Sequence, residues 1–338
     1  MELMEVLAAL GRCFSPSGQE TEIATAIGEL AAPYADDITT DMMGNLTVHK
    51  KGAGPKVMFA AHMDTLGLMV THIEESGLLR VGRLGGVEPR LMPGTPVRFQ
   101  NGALGAVYED LGLEEKKREM GHLYVDIGAK DAKEAVRLVQ VGSTAVFNTP
   151  LYQTGNAVFG PYLDNRICCA ALLKALSQVG ESPNDLYFVF TVQEEVGLRG
   201  AQTAAFAIDP DYAVVTDVTD CDDLPGSEHE GSAKCGGGAA IKVMDSSVIC
   251  HPQMVQRLKA MAQEKDIPHQ MDILTDGGTD GGAIHKSRAG VYTGGVSVPC
   301  RYIHSPQEAV RLADAEACAG LLTAFAQSKL PAVPNEEV

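Results

Sequence analysis

The sequence predicts an α/β protein: a mixed, mainly parallel sheet flanked by helices, with a small inserted β-barrel. Three observations predict it. At both ends of the chain, short apolar runs alternate with segments of helical periodicity, the pattern of strands covered by helices on both faces. Between about Leu66 and Asn156 that alternation stops, and glycines separate short β-rich pieces, as in a small all-β unit. Finally, several apolar runs end directly in His, Asp or Glu, where open α/β sheets place their ligands.

The elements follow in order. Apolar spacing over residues 3–12 predicts a first helix, closed by the turn Ser15-Pro16-Ser17-Gly18. Ser17 with Glu20 three residues on reads as a capping box for a second helix, Gly18 to Ala31. Strands are expected at Ile38–Asp41 and Leu46–Lys50, joined by a two-residue turn at Gly44-Asn45, and at Val57–Ala61. The insert contributes Gly67–Ile73, Leu78–Val81, Val97–Phe99, Ala103–Tyr108 and Leu123–Ile127. One helix, Asp131–Leu138, carries Asp131 and Glu134 as a capping signature. The charge run 114–119 reads as a solvated loop. The second α/β stretch gives a helix at Ile167–Val179, strands at Leu186–Val192 and Tyr212–Thr216, and a short helix at Gly200–Ala207 between them. It continues with a strand at Ala239–Val243, a helix at Pro252–Lys265, strands at Met271–Leu274 and Ala289–Val298, and a last helix, Pro306–Gln327. Residues 1–65 and 157–330 form the expected catalytic domain, 66–156 the insert and 331–338 a disordered tail.

Composition narrows the function. The 338 residues are 45% hydrophobic, enough for a large core. The formal net charge is −17, which argues against a nucleic-acid partner, since a phosphate backbone needs a basic footprint, and against anionic membrane surfaces. No stretch approaches the ~18 apolar residues of a membrane span. The acidic start, Met1-Glu2-Leu3-Met4-Glu5, is unlike a basic secretory leader and predicts a cytoplasmic protein. Eight cysteines are present without a C-x-x-C pair, so they read as buried free thiols.

The chemistry begins at Glu194-Glu195, which follow the run Leu186–Val192. Two adjacent carboxylates at the end of a buried strand repel each other and resist desolvation. No Lys or Arg is near in sequence before Arg199, so a bound cation is the expected remedy. His62-Met63-Asp64 and Asp217 end two other apolar runs, while Asp164 and His304 precede helices. Each has a bland alternative. His62 or His304 could be a satisfied histidine, Asp164 a helix N-cap, Asp217 a turn residue and the glutamates a surface pair. Together they form a nitrogen and oxygen donor set suited to zinc, cobalt or manganese. Residues two apart on a strand share a face, so Asp64 can accept the second imidazole N–H of His62.

The motifs Ala61-His62-Met63-Asp64-Thr65, Leu163-Asp164-Asn165-Arg166, Gln193-Glu194-Glu195-Val196-Gly197, Thr216-Asp217-Val218, Gly278-Thr279-Asp280-Gly281-Gly282-Ala283-Ile284-His285 and Arg301-Tyr302-Ile303-His304-Ser305-Pro306 resemble the glutamyl, deblocking and tetrahedral aminopeptidases. Some of these carry the old label cellulase M. The resemblance implies a fold of the di-zinc exopeptidase type, with two divalent ions per subunit, zinc or cobalt, with manganese possible. It implies that His62 and Asp217 hold one ion, Glu195 and His304 the other, and that Asp164 bridges. Glu194 would be the general base and Asp64 the support of His62. It further implies peptide substrates, a dimerisation role for the insert, and dimers assembling into a dodecamer.

Two other classes compete with this reading. A metal-independent glycoside hydrolase would use two carboxylates, but consecutive glutamates poorly flank a glycosidic bond across ~5–10 Å, and the chain has no Trp to stack sugars. A non-catalytic scaffold would tolerate a degenerate ligand set, and this one is complete. A glutamyl specificity would need a cation in the pocket, for which Lys234, Lys286, Arg288 and Arg301 are candidates. Cys221 and Cys235 are read as buried like the other thiols, with an approach to the pocket as the alternative.

Overall fold

The computed structural model describes residues 1–112, 118–227 and 233–332. Most of the charge run and of the C-terminal tail lie outside them.

The sheet has twelve strands and is mixed. Its centre is parallel. Strand Asp185–Thr191 pairs with Lys56–His62, which pairs with Tyr212–Val215, which pairs with Tyr292–Arg301. Antiparallel strands flank this centre. The central strands are apolar on both faces because both are covered. Along Lys56–His62, Val57, Phe59 and Ala61 enter the larger core, with Leu172, Phe188 and Phe325. Met58 and Ala60 face the other way, against Ala201, Ala205 and Ile284. This is the period-two alternation of a strand.

Register decides where the chemistry sits. His62 lies opposite Thr191 and Val215 opposite Ala60. Thr216 donates its N–H to the Ala60 carbonyl at 2.8 Å and Met63 to that of Thr191 at 2.9 Å. The three strands therefore end level, and the residues just beyond them meet.

The insert is a closed six-stranded antiparallel barrel. Its strands run from Gly67–Ile73 to Thr144–Phe147 around Leu68, Val81, Phe99, Val107, Val125 and Phe147. The expectation omitted the strand Thr144–Phe147, which is too short to show alternation. Tyr152–Thr154, placed in the insert by sequence, pairs with Ala157–Gly160 in the large sheet.

Other expectations are corrected. Ser17 and Glu20 form no capping box. The second helix is Thr21–Ala31 and has no side-chain cap, because both side chains are taken up near the site. The Gly44-Asn45 turn is a longer loop, with Thr40 paired to Leu46. Asp41 organises it by accepting N–H bonds from Met43, Gly44 and Asn45. Asp131 does accept from the Glu134 N–H at 2.9 Å, but Glu134 reaches back to Lys130 instead. The last helix is Leu312–Gln327, and Glu308–Arg311 before it is a strand, paired on both sides.

Candidate metal centre and active site

Three of the parallel strand ends and two loops deliver the donors. His62 ends Lys56–His62. Asp217 follows Tyr212–Val215, and Glu194 and Glu195 follow Asp185–Thr191. Asp164 stands at the start of Leu163–Val179 with non-helical backbone, and its side chain turns to His62 and His304, which displaces the N-cap alternative. His304 adopts φ +64°, with Gln193, Leu198 and Tyr302 also left-handed. Such strained backbone gathers where a site dictates geometry.

The donors converge. The Nε2 of His62 is 3.1 Å from Asp164 Oδ1 and 3.5 Å from Asp217 Oδ1. The Nε2 of His304 is 3.5 Å from Asp164 Oδ2 and 3.5 Å from Glu195 Oε2. Asp164 thus turns one oxygen to each pair. His62, Asp164 and Glu195 offer atoms within 4.8 Å of one another. Separations of about 3.3–3.5 Å are the ligand edges of a tetrahedral ion bound at about 2.1 Å. Glu195 Oε1 is buried without a partner, a bare acceptor in a place where one is costly. These residues fit divalent metal.

Electrostatics agrees. Burial, then the nearby Asp217, Asp280 and Asp64, pushes the Glu194 carboxyl well above the ordinary range, against His62. Burial and Asp164 do the same to Glu195. Burial pushes Asp217 up too. For His62, burial pulls its pKa down, but Asp217 and Glu194 more than reverse this. So much desolvated negative charge, met by two imidazoles, calls for cations.

The shell around the donors was partly missed. Asp64 accepts from Ser17 Oγ at 2.6 Å, the Glu194 N–H at 2.9 Å and the Glu195 N–H at 3.3 Å. It positions both glutamates. The His62 ring meets the backbone carbonyl of Asp64 at 3.1 Å, with the carboxylate at 3.5 Å. Glu308, unnoticed in sequence, accepts from the N–H of Asp164 at 2.8 Å and of His304 at 3.1 Å. Glu20 accepts from the N–H groups of Gly18 and Gln193. Asp280 accepts from Thr191 Oγ1 at 2.5 Å. Arg199 bonds Gln193 rather than the glutamates.

The donors line a cavity of about 520 Å³ together with Gly86 of the barrel. A Cβ on Gly86 would lie 2.5 Å from His304 Nδ1, so only glycine lets the barrel come this close. No Phe, Tyr or Trp lines the cavity among the described residues. Cys221 and Cys235 lie 3.3 Å apart, outside that lining.

A family model described as M42 glutamyl aminopeptidase matches residues 44–321. A relative from Acetivibrio thermocellus is 45% identical, covering 93% of this chain and 95% of its own. The lysyl aminopeptidase of Pyrococcus furiosus is 37% identical, covering 87% and 86%. The TET1 peptidase of Pyrococcus horikoshii, which can assemble into a tetrahedron or a large octahedral shell, superposes with a TM-score of 0.85 at 32% identity, over 96% of this chain and 99% of its own. The PhTET1-12s structure is a dodecamer.

Proposed function

We infer the reaction from one premise: this chain belongs to the M42 glutamyl aminopeptidase family and is a metal-dependent aminopeptidase. The observation that carries the finer reading is Asp164, with one oxygen toward His62 and the other toward His304. His62 and Asp217 would hold one divalent ion, Glu195 and His304 a second, and Asp164 would bridge them. Zinc or cobalt suits these donors, and manganese is the alternative. Bound there, the ions supply Lewis-acid chemistry and a water of lowered pKa.

Glu194 acts as general base. It takes the proton of the attacking water and returns it to the amine nitrogen as the peptide C–N bond breaks. Asp64 fixes the backbone of Glu194 and Glu195, so the two side chains diverge into base and ligand.

The substrate is a peptide with a free N-terminus. No helix among the described residues is long and apolar enough to cross a membrane. The insert would be the dimerisation domain, from which dimers build a twelve-subunit shell. Exposed apolar residues on the insert, Leu104, Val136, Leu138 and Val141 among them, suit burial against another subunit. The test is hydrolysis of aminoacyl-nitroanilides with and without chelator. Cleavage lost to chelator and restored by zinc or cobalt is expected; cleavage indifferent to chelator would refute the metal mechanism.

A further inference from the structure

The cavity holds more carboxylate than the donor set uses. Asp220 and Asp276 line it, beside the apolar Leu198, Val218, Leu274 and Ile303. Asp220 ends the strand Val218–Asp220, hydrogen-bonded along Val298–Cys300, so its position is set by the sheet. Asp276 stands on the loop before Gly277-Gly278. Both are exposed to the cavity side of the molecule. Glu195, with its buried and unpartnered Oε1, marks the metal end of the same cavity.

No Lys or Arg lines the cavity among the described residues. The four cations that could have met an acidic side chain are elsewhere. Arg301 is locked in a two-pronged pair with Asp223 at 2.6 and 2.8 Å. Lys286 and Arg288 line a neighbouring cavity of about 660 Å³, where Arg288 covers the Phe206 ring. Lys234 is exposed outside the lining. A glutamyl side chain placed beside Asp220 and Asp276 would meet like charge, with no Lys or Arg of the lining to answer it among the described residues.

We propose that the cavity selects peptides whose N-terminal residue is cationic, lysine or arginine, with Asp220 and Asp276 receiving its charged head. The proposal rests on the aminopeptidase reading and deepens it. The aliphatic stem of such a residue packs on Leu198, Leu274 and Ile303 while its head reaches the carboxylates, the way long cationic side chains divide themselves between apolar and polar surroundings. Like-charge repulsion excludes glutamate, and discrimination by repulsion is as effective as added attraction. The same carboxylates could instead hold the α-ammonium that every substrate carries, so the test separates the two.

The experiment measures kcat/KM of the metal-loaded enzyme on lysyl-, arginyl-, leucyl- and glutamyl-nitroanilides. The wild type is compared with Asp220→Asn, Asp276→Asn and Asp220→Lys, with metal content and melting confirming that each folds. The wild type should prefer lysine and arginine and cleave glutamate worst. Asp220→Asn should lower the lysine-to-leucine ratio roughly tenfold, the scale of one partly exposed ion pair enclosed by substrate. Asp220→Lys should raise the glutamate-to-lysine ratio. A wild type that prefers glutamate or leucine overturns the proposal. An equal loss on all substrates also overturns it, assigning these carboxylates to the α-ammonium. Failure to cleave any of the four would sink the aminopeptidase reading itself.

Discussion

Glu194 and Glu195 are chemically identical neighbours, and the separate tasks proposed for them rest on what holds their backbone. Asp64 accepts both N–H groups, and Glu195 then reaches His304 while Glu194 lies 4.0 Å from His62. Glu194→Gln keeps shape and removes the base. Turnover should fall by about 10²–10⁴, with metal content by elemental analysis unchanged; parallel loss of metal would make Glu194 a ligand instead. Glu308 acts one step back, through the N–H groups of Asp164 and His304. Glu308→Ala should weaken metal affinity roughly 10–100-fold, read by calorimetry, and Glu308→Gln, which keeps an acceptor, should recover part of it. The principal donors were legible because each ends an apolar run or sits in a recognisable motif. Glu308 was not, since a lone Glu inside an apparent helix announces nothing. Ser17 and Glu20 were misread because their spacing satisfies a local rule that the tertiary site overrides.

At the scale of elements, the sheet converts sequence order into proximity. Parallel strands in level register bring His62, Asp217 and the two glutamates to one edge, though they span 156 positions in the chain (from 62 to 217). Strand existence was readable from apolar runs, while register was not, because it is fixed by pairing between distant segments. The strand Glu308–Arg311 was lost to the helix after it: four residues show no period of their own. The barrel's approach at Gly86 was equally invisible, because one glycine among 36 carries no signal. Gly86→Ala should push His304 aside and reduce occupancy of the second ion with little effect on the first, measured as metal per subunit; full occupancy with wild-type turnover would show that the loop yields freely.

Across the whole molecule, negative charge dominates. Burial pushes Glu20 and Asp280 up to about 7 from ordinary values of 4.5 and 3.8. Both are raised, so the fold holds these protons more tightly than the unfolded chain does. Their stabilising contribution is complete below pH about 4 and is lost as pH rises to about 7. Self-repulsion from a net charge of −17 acts in the same direction. The metal-free protein should therefore melt at a lower temperature at pH 8 than at pH 5 by scanning calorimetry, and Glu20→Gln should flatten that slope. Bound cations should reverse it, since they stabilise the ionised donors. A metal-free protein that melts higher at pH 8 would refute this balance. The central claim is that Asp164 joins two ions held by His62 with Asp217 and by Glu195 with His304. Anomalous diffraction from a crystal grown with zinc or cobalt tests it directly. Two peaks astride the Asp164 carboxylate are expected; a single peak, or peaks away from these five side chains, would contradict it.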